Sequence, residues 1–262
     1  MIPFELKRFK VIAKLEVKGL SHTYQGPGQG LDVPVLGDVS FQMQSRDFVA
    51  IVGPSGCGKT TLLNLIAGFI PAQIGVIRTD GEERRNPSAD CVLISQEQSL
   101  FDWKTVLDNV AFGLKARKIR RPQQIETAKD YLELVGLADV SHLHPRNLSA
   151  GMKQRLALAR ALVVQPKLLL MDEPFASLDW QSRLKLQDQL LTICEAANQT
   201  VLITTHDVAE AVYLADRIIV LSKKPAQISK TLQIPFRRPR VSQLRYDSKF
   251  LALEQHVLAA LV

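Results

Sequence analysis

The sequence contains few cysteines and no long apolar run. Its three cysteines, Cys57, Cys91 and Cys194, lack the spacing of a metal site and suit a reducing cytoplasm. No stretch approaches the roughly 18 consecutive apolar residues that would suggest a membrane span. Charged residues interrupt the apolar ones throughout the first 20 positions. We therefore expect neither a membrane-spanning helix nor a secretory signal.

Aromatic residues are also scarce, and the charge is not balanced. Phe, Trp and Tyr make up 6% of the 262 residues, and the formal net charge is +7. Such a charge is compatible with nucleic acid, with an anionic nucleotide or with a surface near anionic lipid. The basic runs Lys115–Arg121 and Arg237–Arg240 contain no interleaved aromatics that could stack on bases. We interpret both runs as solvated faces or tails and expect no nucleic-acid partner.

Periodicity predicts an α/β chain whose size fits one large domain or two closely joined lobes. A helical block from Val106 to Val135 interrupts the alternation of strands and helices, and we interpret residues 97–160 as an inserted lobe. Strands are predicted at Lys14–Leu20 and Val35–Met43 (a hairpin around the loop Ser21–Pro34), Gly75–Arg78, Cys91–Ser95, Lys167–Met171, Thr200–Thr204, Arg217–Leu221 and Ile228–Ile234. Further helices are predicted at Met152–Val164, from Asp179 to about Ala197, at Asp207–Ala215 and at Asp247–Leu261.

The most specific motif is a phosphate-binding loop. The apolar run Phe48–Val52 has the length of a strand, and the next residues match G-x-x-x-x-G-K-[ST]. Backbone N–H groups of such a loop, and of the helix that follows it, bind phosphates. We expect Lys59 to reach the β- and γ-phosphates and Thr60 to hold Mg²⁺. The predicted binding residues are Gly53, Pro54, Ser55, Gly56, Cys57, Gly58, Lys59, Thr60 and Thr61.

A second polar position follows the apolar strand Lys167–Met171. Asp172 at the strand end is the expected second anchor for Mg²⁺ in a phosphate-loop protein. Glu173 beside it could polarise a water for attack on the γ-phosphate. The alternative is two acidic residues that merely end a strand. The combination with Lys59 and Thr60 favours the functional interpretation.

Four other residues allow two interpretations each. Tyr24 could stack on a base or be an ordinary hairpin aromatic, and Gln96 could bind a ligand at a strand end or lie in a loop. Ser149 caps a helix whose N-terminus could face a phosphate or lie on the surface. His206 follows a strand end, where a histidine is usually structural, although other strand ends here also carry polar groups.

These motifs together resemble the ATP-binding subunit of ABC transporters along essentially the whole chain. Gly53–Thr60 resembles the Walker A motif, Leu168–Asp172 the Walker B motif and Leu148–Arg155 the signature, in which Ala150 replaces a usual glycine. The resemblance assigns the remaining roles: adenine stacking to Tyr24, the Q-loop and Mg²⁺ contact to Gln96, catalysis to Glu173, the D-loop to Ser177–Asp179 and the switch histidine to His206.

The resemblance implies a fold and a set of partners. The expected fold is a P-loop NTPase core with an antiparallel β subdomain and an inserted α-helical subdomain. Within a single cassette, 1–262, the core would be 1–96 and 161–234, the helical lobe 97–160, and the C-terminal tail and helix 235–262. Two cassettes would close head-to-tail over two ATP molecules, with Ser149, Gly151 and Asp179 contributing across the interface.

Less specific segments, such as Ile234–Arg240, resemble those of the importers of nitrate, sulfonate, taurine and related small anions. These subunits are peripheral to the cytoplasmic face of the membrane and work with a permease and an extracytoplasmic solute-binding protein. Two alternatives are an ABC-type ATPase that acts on nucleic acid or ribosomes, and a phosphate-loop kinase for a small molecule. The first usually has two cassettes or a coiled-coil insert, and the second would leave Ser149–Arg155 and His206 without a role.

Overall fold

A computed structural model describes residues 14–26, 31–97 and 99–261, and the stretch expected to lack a secretory signal lies mostly outside them. The strands are β1 (Leu15–Tyr24), β2 (Val33–Met43), β3 (Phe48–Val52), β4 (Ile74–Thr79), β5 (Glu82–Glu83), β6 (Cys91–Ile94), β7 (Leu168–Asp172), β8 (Val201–Thr205), β9 (Arg217–Leu221) and β10 (Ile228–Gln233). The α-helices are α1 (Lys59–Ala67), α2 (Val106–Ala116), α3 (Arg121–Leu134), α4 (Ala150–Leu162), α5 (Trp180–Ala196), α6 (Val208–Leu214) and α7 (Ser248–Leu261). Short 3₁₀ helices lie at Ala138–Val140, Pro145–Asn147 and Ser242–Tyr246.

The central sheet is mostly parallel. Within the described residues its strand order is β10-β9-β3-β8-β7-β6, and β10 alone pairs antiparallel. Because β3, β8 and β7 are neighbours and run in one direction, their carboxyl ends meet at one edge of the sheet. Open α/β sheets bind ligands at this edge.

A second sheet is antiparallel and has the order β2-β1-β4-β5. The predicted hairpin is confirmed, because β1 pairs with β2 from Leu15↔Met43 to Tyr24↔Val33. Its strands extend further than the sequence predicts, so that the predicted loop Ser21–Pro34 shrinks to the stretch 25–32. Residues 27–30 of that loop lie outside the described residues.

The two faces of β3 belong to different hydrophobic clusters. Phe48, Ala50 and Val52 pack into a cluster with the apolar faces of α2 to α7. Val49 and Ile51 pack into a cluster with α1 and the antiparallel sheet. This alternation follows from the period of two along a strand, and burial on both sides explains why the run is wholly apolar. The layers match the predicted α/β class.

The basic run Lys115–Arg121 is exposed to solvent at every position except the half-buried Ile119, as expected for a solvated segment. Helix α2 ends at Ala116, α3 begins at Arg121, and the residues between them form a connection. Lys118 has a φ of 60°, which lies in the left-handed region and cannot continue a helix.

Contrary to the prediction, the run Arg237–Arg240 is not a solvated tail. Arg240 is buried, and it donates to the carbonyl of Tyr213 at 2.6 Å. Arg238 donates to Asp216 at 2.8 Å, and the same carboxylate accepts from the backbone N–H of Phe48. The prediction failed because periodicity does not show which arginines find a buried acceptor.

Candidate functional site

The phosphate loop leaves the carboxyl end of β3 and turns directly into α1. Gly56 and Gly58 have φ values of 71° and 120°, a conformation that residues with a Cβ rarely adopt. A Cβ on Gly58 would lie 2.6 Å from Cγ1 of Val35. Gly58, which the motif requires, is therefore needed for both backbone conformation and packing, whereas Gly56 is needed for backbone conformation alone.

The N-terminus of α1 is open to an anion. Its N-cap residue is Gly58, no side chain caps it, and its first turn carries no acidic residue. By contrast, the N-termini of α2, α4, α5 and α6 are each capped by a side-chain oxygen of the N-cap residue. Uncapped N–H groups and the helix dipole favour a negative charge at this position.

Lys59 lies inside the loop and is 5% exposed. Its ammonium group donates to the carbonyl oxygen of Gly53 at 3.0 Å and to that of Pro54 at 3.3 Å. The same nitrogen lies 3.6 Å from Oε1 of Glu173. A lysine cannot be buried without such partners, so its ammonium group is held where a phosphate entering the loop would contact it.

Glu173 is held between two cationic or donor groups. Its Oε2 lies 2.9 Å from Nδ1 of His206, while its Oε1 faces Lys59. Its φ of 44° lies in the left-handed region, where strain clusters at functional sites. The backbone N–H of Glu173 donates to the carbonyl of Thr204 at 3.0 Å, which holds this conformation.

Two oxygen-bearing side chains that could bind a cation, Asp172 and Thr60, are the sequence neighbours of Glu173 and Lys59. Asp172 is buried, and its Oδ1 accepts from the hydroxyl of Thr204 at 2.6 Å. Thr60 is exposed at the start of α1. A carboxylate and a hydroxyl are hard ligands that suit Mg²⁺. No cluster of three or more His, Cys, Asp or Glu able to hold a metal exists among the described residues, so a bound ion would need oxygens from a ligand as well.

Tyr24 lies beside the phosphate-loop helix. Its hydroxyl lies 3.3 Å from Oγ1 of Thr61, and its ring packs edge-on against His22 with centroids 4.7 Å apart. The side chain is 43% exposed. An exposed aromatic face next to a phosphate loop could stack on a nucleotide base.

The signature segment lies at the start of α4. The predicted helix cap is present, because Oγ of Ser149 accepts from the N–H of Met152 at 3.3 Å. Ala150 is exposed, and Gly151 has room for a Cβ, which would lie 3.5 Å from Leu186. Packing within this chain therefore does not require glycine at position 151.

Gln96 and Asp179 lie in surface turns. Gln96 is exposed in the turn after β6. Asp179 caps α5, where hydrogen bonds from Ser182 lower the pKa of its carboxyl group. Across the part of the chain that the structure describes, no hydrogen bond or ion pair joins Gln96, Ser149 or Asp179 to the phosphate loop. The structure thus brings Lys59, Glu173 and His206 together and leaves these three apart from them.

Sequence reasoning missed several residues around this group. Thr204 donates to Asp172 through its hydroxyl and accepts from the backbone N–H of Glu173. In the sequence it indicates only a β-branched strand residue. Asp207 accepts from Arg183 and caps α6. The sequence places Asp207 at the start of the predicted helix Asp207–Ala215, where Asp is a common N-cap residue, but it does not show the contact with Arg183 on α5.

Comparisons with known proteins agree with this arrangement. The family model described as ABC transporter matches residues 36–176. Two solved structures of the ATP-binding cassette MJ0796, both dimeric and one bound to ADP and Pi, are 26% identical, with TM-scores of 0.74 and 0.75. Each alignment covers 85% of this chain and 100% of the cassette.

Curated relatives are similar over most of the chain. An uncharacterized ABC transporter ATP-binding protein of Methanocaldococcus jannaschii is 41% identical over 97% of both chains. The taurine import ATP-binding protein TauB of Yersinia pseudotuberculosis is 42% identical over 93% of this chain and 95% of its own. The nitrate import ATP-binding protein NrtD of Synechococcus elongatus is 44% identical over 78% of this chain and 75% of its own.

No helix among the described residues is long and apolar enough to cross a membrane. The phosphate loop, the acidic pair at the end of β7 and the relatives all indicate the same activity, ATP binding and hydrolysis. The chain is an ATP-binding, ATP-hydrolysing subunit that belongs to the ABC transporter family.

Proposed function

We propose that this chain drives import of a small anion, such as nitrate, a sulfonate or taurine, through a separate permease. The geometry of Lys59, Glu173 and His206 is the observation that carries the ATPase role of the site. The substrate class is supported by the relatives named as nitrate and taurine import proteins.

In the proposed reaction, the phosphate loop and Lys59 bind the triphosphate, and Tyr24 stacks on the adenine. Thr60, Asp172 and Gln96 would hold Mg²⁺, which supplies charge neutralisation on the β- and γ-phosphates when it is bound. Glu173 orients the attacking water and accepts its proton. His206 holds the γ-phosphate and the water in line.

The contacts of Glu173 indicate how ATP binding would free it to act as the general base. Lys59 and His206 both lie against the carboxylate of Glu173. An incoming γ-phosphate carries more negative charge than a carboxylate and competes for the same two groups. As they turn to the phosphate, Glu173 is released to accept a proton from water.

We further propose that the ATP site is completed by a second cassette. Ser149 and Gly151 at the N-terminus of α4 would contact the γ-phosphate bound by the partner, and Asp179 would lie at the same interface. The absence of contacts from this segment to its own phosphate loop, within the described residues, supports a role across the interface. The two similar cassettes of known structure are dimeric.

The proposed partners follow from this arrangement. Gln96 would link the nucleotide site to the helical lobe 97–160, and that lobe would contact the permease at the cytoplasmic face of the membrane. A solute-binding protein would deliver the anion on the other side. The domain division stated above, with a core of 1–96 and 161–234 and a tail of 235–262, is part of this proposal.

A mixing experiment tests the composite site. Lys59→Ala and Ser149→Arg chains should each hydrolyse ATP poorly, whereas their mixture should recover activity because one site of the heterodimer is intact. A mixture of Lys59→Ala with Glu173→Gln is the matched control, since both sites of that heterodimer are damaged. Wild-type activity per chain should also rise with protein concentration. Concentration-independent activity without recovery in the first mixture would contradict the shared site.

Uptake measurements test the substrate class. Cells that lack this chain should lose ATP-dependent uptake of labelled nitrate or of labelled taurine. Wild-type chain should restore that uptake, and Glu173→Gln should not. Unchanged uptake of both solutes would remove these two anions from the proposal without affecting the ATPase assignment.

A further inference from the structure

A buried hydrogen-bond network lies behind His206 and takes no direct part in the proposed reaction. His206 has a side chain that is 60% exposed, so packing alone does not hold it. The residue after it, Asp207, is anchored on both sides. Oδ1 of Asp207 accepts from the backbone N–H of Glu210 at 3.1 Å, and Oδ2 accepts from Arg183 at 3.1 Å.

Glu210 anchors this end of α6 in the interior. Its side chain is 4% exposed, and its Oε2 accepts from Nε2 of Gln187 on α5 at 3.1 Å. A buried carboxyl group without a partner would be costly. Thr205 also interacts with this carboxyl group, and the amide of Gln187 is the contact that ties Glu210, near the start of α6, to α5.

Arg245 determines which way that amide points. Its guanidinium donates to Oε1 of Gln187 at 3.0 Å. A guanidinium can only donate, so it selects the amide oxygen and turns the NH₂ group toward Glu210. Without it, either the oxygen or the NH₂ group of the amide could face Glu210, and the observed orientation would no longer be fixed.

Arg245 itself is held firmly, although it belongs to the C-terminal 3₁₀ helix Ser242–Tyr246. The guanidinium lies 3.3 Å from the ring centroid of Tyr213 and donates to Asp188 at 3.1 Å. The hydroxyl of Ser242 donates to the same carboxylate at 2.9 Å. The C-terminal segment thus docks on α5 and α6 through Arg245.

We propose that Arg245 is a positioning residue for His206. It acts through Gln187 and Glu210, which hold the start of α6, and it makes the C-terminal segment part of the machinery for hydrolysis. The inference rests on the role proposed above for His206. It assigns no chemical step to Arg245.

Arg245→Met tests this inference, because it keeps most of the stem and removes the guanidinium. We expect kcat for ATP hydrolysis to fall about tenfold, since small misplacements of reacting groups cost this much or more. The KM for ATP should stay within about twofold, because the phosphate loop is untouched. Gln187→Met should reproduce the effect. Arg237→Met, an exposed arginine in the same C-terminal region, is the control and should change neither constant.

The value of kcat is expressed per chain that binds ATP, and nucleotide titration counts these chains. Unfolded chains therefore do not lower the measured kcat. A double-mutant cycle then identifies the route of action. In a His206→Ala background, Arg245→Met should change kcat less than about twofold, because the residue that it positions is gone. The inference about Arg245 would be wrong if Arg245→Met and His206→Ala had additive effects on the free energy of activation. It would also be wrong if kcat stayed within twofold of wild type for both Arg245→Met and Gln187→Met. Neither result would affect the proposed role of His206. An unchanged kcat for His206→Ala would overturn both the inference and the proposed role of His206.

Discussion

Nδ1 of His206 lies 2.9 Å from Oε2 of Glu173, although 33 positions separate the two residues in the sequence. A carboxylate can only accept, so Nδ1 of His206 carries a proton in this arrangement. The imidazole and the carboxylate therefore form one hydrogen-bonded unit. The same carboxylate faces Lys59, and the three side chains form the centre of the predictions that follow.

Glu173→Gln should abolish turnover and preserve ATP binding. The amide cannot accept the proton of the attacking water, and loss of a general base costs about 10²- to 10⁴-fold in rate. Steady-state phosphate release measures the loss, and gel filtration with ATP should show a stabilised dimer. Glu195→Gln, an exposed position on α5, is the control. Hydrolysis near the wild-type rate would remove Glu173 from the catalytic role.

Lys59→Ala should weaken ATP binding directly. The ammonium group is the buried cation of the loop, and hydrogen bonds to charged groups contribute about 1.5–3 kcal/mol. The Kd for ATP should therefore rise by about 10- to 100-fold. Titration with a fluorescent ATP analogue measures this change. Lys230→Ala, an exposed lysine on β10, should leave the Kd unchanged, and an unchanged Kd for Lys59→Ala would contradict the loop assignment.

Two substitutions of Tyr24 separate its ring from its hydroxyl. Tyr24→Ala should raise the KM for ATP about tenfold, because base–aromatic stacking contributes about 1–3 kcal/mol. Tyr24→Phe should leave KM close to wild type, since it loses only the 3.3 Å contact with Thr61. Steady-state kinetics checks both variants. Equal losses in the two would assign the effect to the hydroxyl and not to stacking.

Glu210 should make stability depend on pH. Burial raises the pKa of its carboxyl group from 4.5 to about 8, so between these values the folded chain binds a proton that the unfolded chain has released. This contribution to stability is complete below pH 4.5 and is lost as the pH rises through about 8. Glu210→Gln, which is neutral throughout, should therefore gain stability relative to wild type between pH 5 and pH 8.

Urea denaturation at several pH values measures this difference. Glu126→Gln on the exposed face of α3 provides the control and should track the wild type at each pH. A constant difference between Glu210→Gln and wild type would show that Glu210 stays ionised in the folded chain.

Local patterns predicted most of the elements well. The run from Phe48 to Thr60 could be interpreted directly, because its glycines, lysine and apolar strand have fixed spacing and each has a local physical reason. The burial of Arg240 was not predictable in this way, because it depends on a carbonyl 27 residues away.

The amino-acid sequence by itself determined the identity of the phosphate loop, the acidic pair after β7 and the family to which the chain belongs. Only the tertiary structure decided that Lys59 and His206 both contact the carboxylate of Glu173. It also decided that Arg245 donates to Gln187, which holds Glu210 of α6. The physical reason is strand order. Strand β8 follows β7 in the sequence but inserts between β3 and β7 in the sheet. Three parallel strands thereby deliver polar groups that are distant in sequence to a single edge.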